Sequence, residues 1–148
     1  LIKKSKFDFF THGIFINSKT KITKNIHFII YYKKHKNKIN MYPIDLIKKL
    51  IMFKYRIVVV GDRLNLNGVL NCGYLSKIRL KYLLSKTKFF LSSSENLSSF
   101  FAIDCINNNV KIITTEKKQN LNKLLNKYIL YINGKNITKD YCQKLLNT

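Results

Sequence analysis

The chain has 148 residues, the usual length of one domain, and 46% of them are hydrophobic, which excludes a wholly disordered protein. It carries 28 Lys and Arg against 7 Asp and Glu, a formal net charge of +21. Self-repulsion of this size destabilises a compact state unless a polyanion offsets it, so the charge favours a nucleic-acid or anionic-membrane partner. A lysine-rich surface produced by an AT-biased genome is the alternative interpretation.

Predicted elements alternate along the chain after a basic, irregular extension at residues 1–25. We therefore expect a single α/β domain over residues 26–148. Strands are predicted at 26–32, 56–61, 68–74, 89–94, 110–115 and 128–134. Helices are predicted at 44–53, 75–86, 95–108, 118–126 and 137–146. This rhythm is typical of βαβ units and predicts a Rossmann-like three-layer sandwich with a mostly parallel sheet.

Two apolar runs indicate why the sheet is expected to be buried. "IHFIIYY" at 26–32 is rich in β-branched and aromatic residues, which favour strands. "RIVVVG" at 56–61 is almost continuously apolar, as strands buried on both faces of a parallel sheet are. Gly61 ends this run, and we interpret it as a tight turn.

The usual motifs of nucleotide-binding enzymes are missing from the sequence. The segment "VVVGDRLNLNG" contains neither G-x-G-x-x-G nor the phosphate-binding G-x-x-x-x-G-K-[ST]. Three carboxylates occupy the middle of the chain, Asp62, Glu95 and Asp104, and they need not converge. The "SSS" at 92–94 lacks the G-x-S-x-G surroundings of a nucleophile. We therefore expect no enzyme, no catalytic residue and no cofactor.

Histidine and cysteine give no metal-binding spacing. Cys72, Cys105 and Cys142 are far apart and are interpreted as thiols of a reducing compartment. His27 lies in an apolar run, where a packed strand histidine is favoured over a catalytic base. We expect no metal site, and no apolar run approaches the ~20 residues that span a bilayer.

Basic residues are concentrated on either side of the first predicted strand. Lysine suits phosphate as a point charge without identifying bases, so the clusters predict a surface that binds RNA by its backbone. A solvated charge run is the alternative. The predicted RNA-binding residues are Lys19, Lys21, Lys24, Lys33, Lys34, His35, Lys36, Lys38, Arg63 and Arg79.

Several short segments, in order, carry a resemblance to a known family. They are Thr11-His12, Asn17-Ser18-Lys19, "NIHFII" at 25–30, Val59-Val60-Gly61, "FFLSSSENLSSFFAIDCINNNVKIITT" at 89–115 and "YILYING" at 128–134. Together they resemble the second protein of the bacterial-type small ribosomal subunit, including its mitochondrial forms. "CGYLSKI" at 72–78 is a poor substitute for the family's Trp-Leu-Gly-Gly signature, and the family's long helical hairpin has no room here.

This resemblance implies a structural, non-catalytic protein that binds small-subunit rRNA and touches neighbouring ribosomal proteins. With the AT-biased composition, it implies an organelle-encoded component of the mitochondrial ribosome, located in the matrix. No membrane and no small-molecule substrate are expected. Lys19, Lys21 and Lys24 match the family's basic N-terminal stretch and are the first candidates for contact with RNA.

A second resemblance covers only about residues 44–115. "RIVVVGD", "GYLSKIRLKYLLSKTKFFLSSSENLSSFFAIDC" and "NNVKIIT" are similar to the C-terminal, sugar-nucleotide half of retaining GT-B glycosyltransferases. Glu95 and Asp104 fall near that family's paired acidic positions. The alternative function it implies is a GT-B glycosyltransferase C-terminal domain, or an inactive relic that binds a sugar nucleotide.

Overall fold

A computed structural model describes residues 23–36, 39–93, 99–115 and 127–147. Its strands within these ranges are β1 (Ile26–Tyr32), β2 (Ile57–Gly61), β3 (Val69–Gly73), β4 (Thr87–Leu91), β5 (Lys111–Thr114) and β6 (Ile129–Tyr131). Its α-helices there are α1 (Ile44–Met52), α2 (Lys77–Ser85), α3 (Phe100–Asn107) and α4 (Lys139–Leu146). Two 3₁₀ turns cover Ile39–Met41 and Gly134–Asn136.

The six described strands form one sheet in the order β3-β2-β1-β4-β5-β6. Every neighbouring pair is parallel, with β1 in the middle between β2 and β4. The register places Ile29 beside Val58 on one side and beside Phe90 on the other. Since all strands run the same way, their carboxyl ends share one edge of the sheet and their amino ends share the other.

Helices cover both faces of this sheet. On the first face, Ile47 and Leu50 of α1 and Cys142 of α4 pack with Phe28 and Phe89 of the strands. On the second face, Leu84 of α2 and Phe101, Ala102 and Cys105 of α3 pack with strand residues that include Ile29, Phe90 and Ile112. Burial on both faces explains why the central strands are nearly continuous apolar runs.

Local signals set where the helices begin. Pro43 precedes α1, where its missing N–H costs no helical hydrogen bond. Ser76, Ser99 and Thr138 precede the other three helices, and each side-chain oxygen accepts a hydrogen bond from a backbone N–H of the first turn. These caps satisfy donors that a helix leaves without an internal partner.

The predicted α/β Rossmann-like sandwich is confirmed, and the described sheet is parallel throughout. One boundary differs in a way that matters for the site. The strand predicted at 89–94 begins earlier, at Thr87, and ends at Leu91, so Ser92 and Ser93 follow it. The difference arises because Thr87 pairs with Ile26 of β1, which its polar side chain did not suggest. The helix predicted at 118–126 and most of the extension at 1–25 lie outside the described residues.

Candidate functional site

The order in which the chain adds strands to the sheet reverses between β1 and β4: β2 and β3 lie on one side of β1, and β4, β5 and β6 lie on the other. The chain leaves β1 toward α1 on the first face, and it leaves β4 toward α3 on the second face. In open α/β sheets the crevice outside the carboxyl ends at such a switch is where ligands bind. Here the segment after β1 supplies the exposed Lys33, Lys34 and Lys36, and the segment after β4 supplies Ser92 and Ser93.

Two side chains hold the basic segment after β1 by its backbone. The N–H of Lys33 donates to the hydroxyl of Tyr42 at 2.9 Å, and the N–H of Lys34 donates to Oδ2 of Asp62 at 2.8 Å. Tyr42 is itself fixed, because its ring packs against that of Tyr32 with centroids 4.8 Å apart. The course of the backbone is therefore set, while the lysine side chains remain exposed at the edge of the sheet.

Asp62 joins the carboxyl ends of three neighbouring strands. Its N–H donates to the carbonyl of Tyr32 at 2.9 Å, and its Oδ1 accepts from the hydroxyl of Tyr74, just past β3, at 2.8 Å. The hydrogen bond from Lys34 and then that from Tyr74 lower the pKa of the Asp62 carboxyl, and the charges of Lys33 and Lys34 add to this. The hydrogen bond from Tyr74 to Asp62 also raises the pKa of the Tyr74 hydroxyl, since this bond favours the protonated phenol.

Gly61 allows the end of β2 to lie very close to the backbone of Tyr32 in β1. Its φ is +98°, in the left-handed region, and a Cβ there would lie well inside 3.0 Å of the carbonyl oxygen of Tyr32. The sequence predicts a tight turn at Gly61; in the structure this residue is the last of β2, in a backbone conformation that favours glycine.

Ser92 is a structural residue. It is buried, and both its N–H and its hydroxyl donate to the carbonyl of Ile113, at 2.9 and 3.1 Å. Its hydroxyl thus ties the ends of β4 and β5 together. The first turn of α3 follows nearby in the chain, and Ser99 accepts a hydrogen bond there from the N–H of Ala102 at 3.2 Å.

An open cleft of about 830 Å³ lies along the same edge on the first face. It is bounded by the start of α1, the end of β5 and the 3₁₀ turn after β6. Lys49 of α1 closes one side by donating from Nζ to the carbonyl of Lys135 at 2.8 Å. The polar lining of the cleft includes Asn40, Asp45, Thr115 and Asn133. A volume of this size is within the range of sites for small molecules and cofactors.

The described residues of the predicted RNA-binding set lie in three places. Lys33, Lys34, His35, Lys36 and Arg63 are exposed and lie together at the carboxyl edge, because β1 and β2 are neighbours. Lys24 precedes β1 at the opposite edge, and the exposed Arg79 lies in the first turn of α2. Lys19, Lys21 and Lys38 lie outside the described residues. None of these positions by itself tests contact with RNA.

The candidate acid and base residues are not assembled into a catalytic group among the described residues. Asp104 is partly buried in α3, and Glu95 lies outside the described ranges. His27 is a packed strand residue, as predicted: its Nδ1 accepts from the N–H of Arg56 at 2.9 Å, and its ring meets that of Tyr55 at 5.2 Å. Burial, with the charges of Lys88 and Arg56, lowers the pKa of His27.

Sequence reasoning missed the part played by Tyr74. It gave Asp62 no partner, because the two residues are twelve positions apart and meet only through the β2–β3 pairing. In the described ranges no group of three His, Cys, Asp or Glu residues could hold a metal ion. The described helices include none with the length and apolar character that crossing a membrane requires.

No protein-family model matches the chain, and no curated protein does. Solved structures, in contrast, do match the chain. One is E. coli heptosyltransferase WaaC with ADP, at 12% identity and a TM-score of 0.51, covering 83% of this chain and 43% of that one. Another is the UDP-GlcNAc 2-epimerase from Methanocaldococcus jannaschii, at 9% identity and a TM-score of 0.55, covering 98% of this chain and 42% of that one.

These likenesses show a shared Rossmann-like fold, of the kind found in glycosyltransferase and epimerase domains. The chain spans less than half the length of either solved protein. The expectation of a non-catalytic protein is contradicted, because the two solved structures named above, which share the fold, are enzymes. Nothing in the comparisons supports membership of the ribosomal family; the parallel α/β architecture explains the weak resemblance, since unrelated proteins share it.

Proposed function

We propose that the chain is a glycosyltransferase-type domain that binds a nucleotide sugar at the carboxyl edge of its sheet, beside the β1–β4 switch. The observation that carries the proposal is the strand order, which opens a crevice at this edge, together with the five exposed basic residues that gather there. The ligands named for the two similar enzymes, ADP and UDP-GlcNAc, share a diphosphate, which sets the chemical class of the expected ligand.

Each part of the edge has a role in this proposal. Lys33 and Lys34 neutralise the diphosphate, and their backbone is held in place by Tyr42 and Asp62 before the ligand arrives. Such preorganisation reduces the ordering cost of binding. The cleft of about 830 Å³ beside α1 has room for the remainder of the nucleotide sugar. Sugar transfer itself is not assigned to any described residue.

The test is calorimetric titration of the full chain with ADP and with UDP-GlcNAc. We expect saturable binding of at least one nucleotide, weakened about tenfold or more in the Lys33→Gln/Lys34→Gln variant, since even one charged contact of this kind is worth roughly 1.5 to 3 kcal/mol. The control is Lys48→Gln/Lys54→Gln, which removes the same charge from exposed positions at and just after α1. Absence of binding at millimolar nucleotide would overturn the proposal.

A second candidate function, binding of an RNA backbone, rests on the net charge of +21. The ribosomal rRNA partner and the mitochondrial location remain predictions that no comparison tests. Counterion release makes RNA binding fall steeply with salt, whereas a nucleotide held in a cleft depends on salt less strongly. Co-sedimentation with ribosomal particles, combined with absent nucleotide binding, would favour this second function.

A further inference from the structure

Three lysines meet at the edge of the sheet opposite the proposed nucleotide site. Lys24 precedes β1, Lys88 is the second residue of β4 and Lys111 is the first residue of β5. They line one cavity of about 260 Å³, together with Phe89, Asn109 and Leu146. We propose that this cavity, the trilysine cavity, is a phosphate-binding site, independent of the nucleotide site at the carboxyl edge.

The sheet itself sets the spacing of these cations. Pairing of β1 with β4 places Ile26 beside Thr87, and pairing of β4 with β5 places Phe89 beside Lys111. The three lysines therefore come from adjoining strand starts, which are held by backbone hydrogen bonds. Pairing of β4 with β5 keeps the backbones of Lys88 and Lys111 close together despite the repulsion between their charges.

Backbone carbonyls further restrain two of the ammonium groups. Nζ of Lys24 donates to the carbonyl of Asn109, after α3, and Nζ of Lys88 donates to the carbonyl of Leu146, at the end of α4, at 3.0 Å. Lysines often cap helix ends in this way, and capping alone explains each contact. Capping does not explain why Lys24, Lys88 and Lys111 all line the same small cavity. An ammonium group has three N–H donors, so one that caps a helix can also bind an anion.

Electrostatics at the cavity favour a bound anion. The pKa of Lys24 is lowered, first by burial and then by the nearby charges of Lys111 and Lys88. A dianionic phosphate would offset that repulsion and accept hydrogen bonds from several ammonium groups at once. The cavity volume suits inorganic phosphate or one phosphate of a larger molecule, so free phosphate and an RNA backbone are two sources of the same chemistry.

The experiment is titration of the full chain with inorganic phosphate, followed by ³¹P NMR, at about 0.15 M salt. We expect saturable binding that weakens about tenfold or more in Lys88→Gln/Lys111→Gln. The control Lys48→Gln/Lys81→Gln carries the same charge change on exposed helix positions and should bind as the wild type does. NMR titration of Lys24 gives a second readout: phosphate should raise its pKa, and this holds even if the double variant fails to fold.

A parallel titration with a single-stranded RNA of ~12 nucleotides separates the two sources. RNA binding that is lost in Lys88→Gln/Lys111→Gln and competed by phosphate identifies an RNA backbone as the ligand. Phosphate binding that depends on these lysines, with RNA binding unaffected, identifies a free phosphate or phosphomonoester. The proposal fails if phosphate leaves the pKa of Lys24 unchanged, or if the control variant weakens phosphate binding as much as the trilysine variant does.

Discussion

The hydroxyl of Tyr74 donates to the carboxylate of Asp62 at 2.8 Å, linking the end of β3 to the residue that follows β2. Because Asp62 also accepts from the N–H of Lys34, this single carboxylate connects the segments that follow β1, β2 and β3. The basic residues of the proposed nucleotide site are attached to those segments, so the Asp62–Tyr74 contact bears on how the site is held.

Replacing Tyr74 with Phe should raise the pKa of Asp62. The folded-state pKa of Asp62 is lowered, so its contribution to stability is present above the unfolded value of 3.8 and is lost as pH falls through the lower folded value. Part of that lowering comes from Tyr74, and the change should therefore move the carboxyl toward its ordinary pKa. Carboxyl ¹³C titration by NMR measures it, and the exposed Tyr141→Phe in α4 is the control. An Asp62 pKa that is the same in both variants would contradict the role given to this bond.

Gly61→Ala should destabilise the fold far more than Gly73→Ala. Both glycines end strands with positive φ, +98° and +68°. A Cβ at Gly61 would collide with the carbonyl of Tyr32, whereas a Cβ at Gly73 has no neighbour within 4 Å. We expect Gly73→Ala to lower the free energy of unfolding by roughly 1 kcal/mol, from backbone strain alone. Gly61→Ala should lower it by about 3 kcal/mol or more, because displacement of the β1 backbone adds to the strain. Urea denaturation compares the two, and equal losses would refute the close approach.

His27 should make the domain less stable in mild acid. Its pKa is lowered in the folded state, so below pH 6.5 the unfolded chain binds a proton that the folded chain resists. Stability is therefore full above about pH 6.5 and falls as pH drops toward the folded value. Urea midpoints between pH 5 and pH 7.5 should show this dependence, and His27→Asn should reduce it. The control His35→Asn, at an exposed position, should leave the pH dependence of the urea midpoint in place. A wild-type urea midpoint that does not change over this pH range would argue against the packed histidine.

Thiol labelling of the native protein should be selective for Cys72. Cys72 lies on the edge strand β3 and is partly exposed, whereas Cys105 and Cys142 are buried. Burial raises the pKa of all three thiols, most strongly that of Cys105. With a disulfide reagent at about pH 8, we expect slow reaction of one thiol, and of all three only after denaturation. Cys72→Ser should abolish the native reaction; rapid labelling of two or more thiols would mean that the two packed faces open readily.

The sequence by itself determined the α/β class, the order of the elements and the burial of the central strands. Those features are local, because a run such as "IVVV" at 57–60 has few ways to bury itself other than inside a parallel sheet covered on both sides. The end of β2 at Gly61 and the packed state of His27 followed from the same local patterns.

Only the tertiary structure decided which distant side chains meet. The strand order brought Lys24 to Lys88 and Lys111, which are far away in the sequence. It also joined Asp62 to Tyr74. A one-dimensional pattern reports periodicity and burial, whereas the neighbours of a strand are chosen by pairing across the whole sheet, and the sites of this protein arise from that pairing.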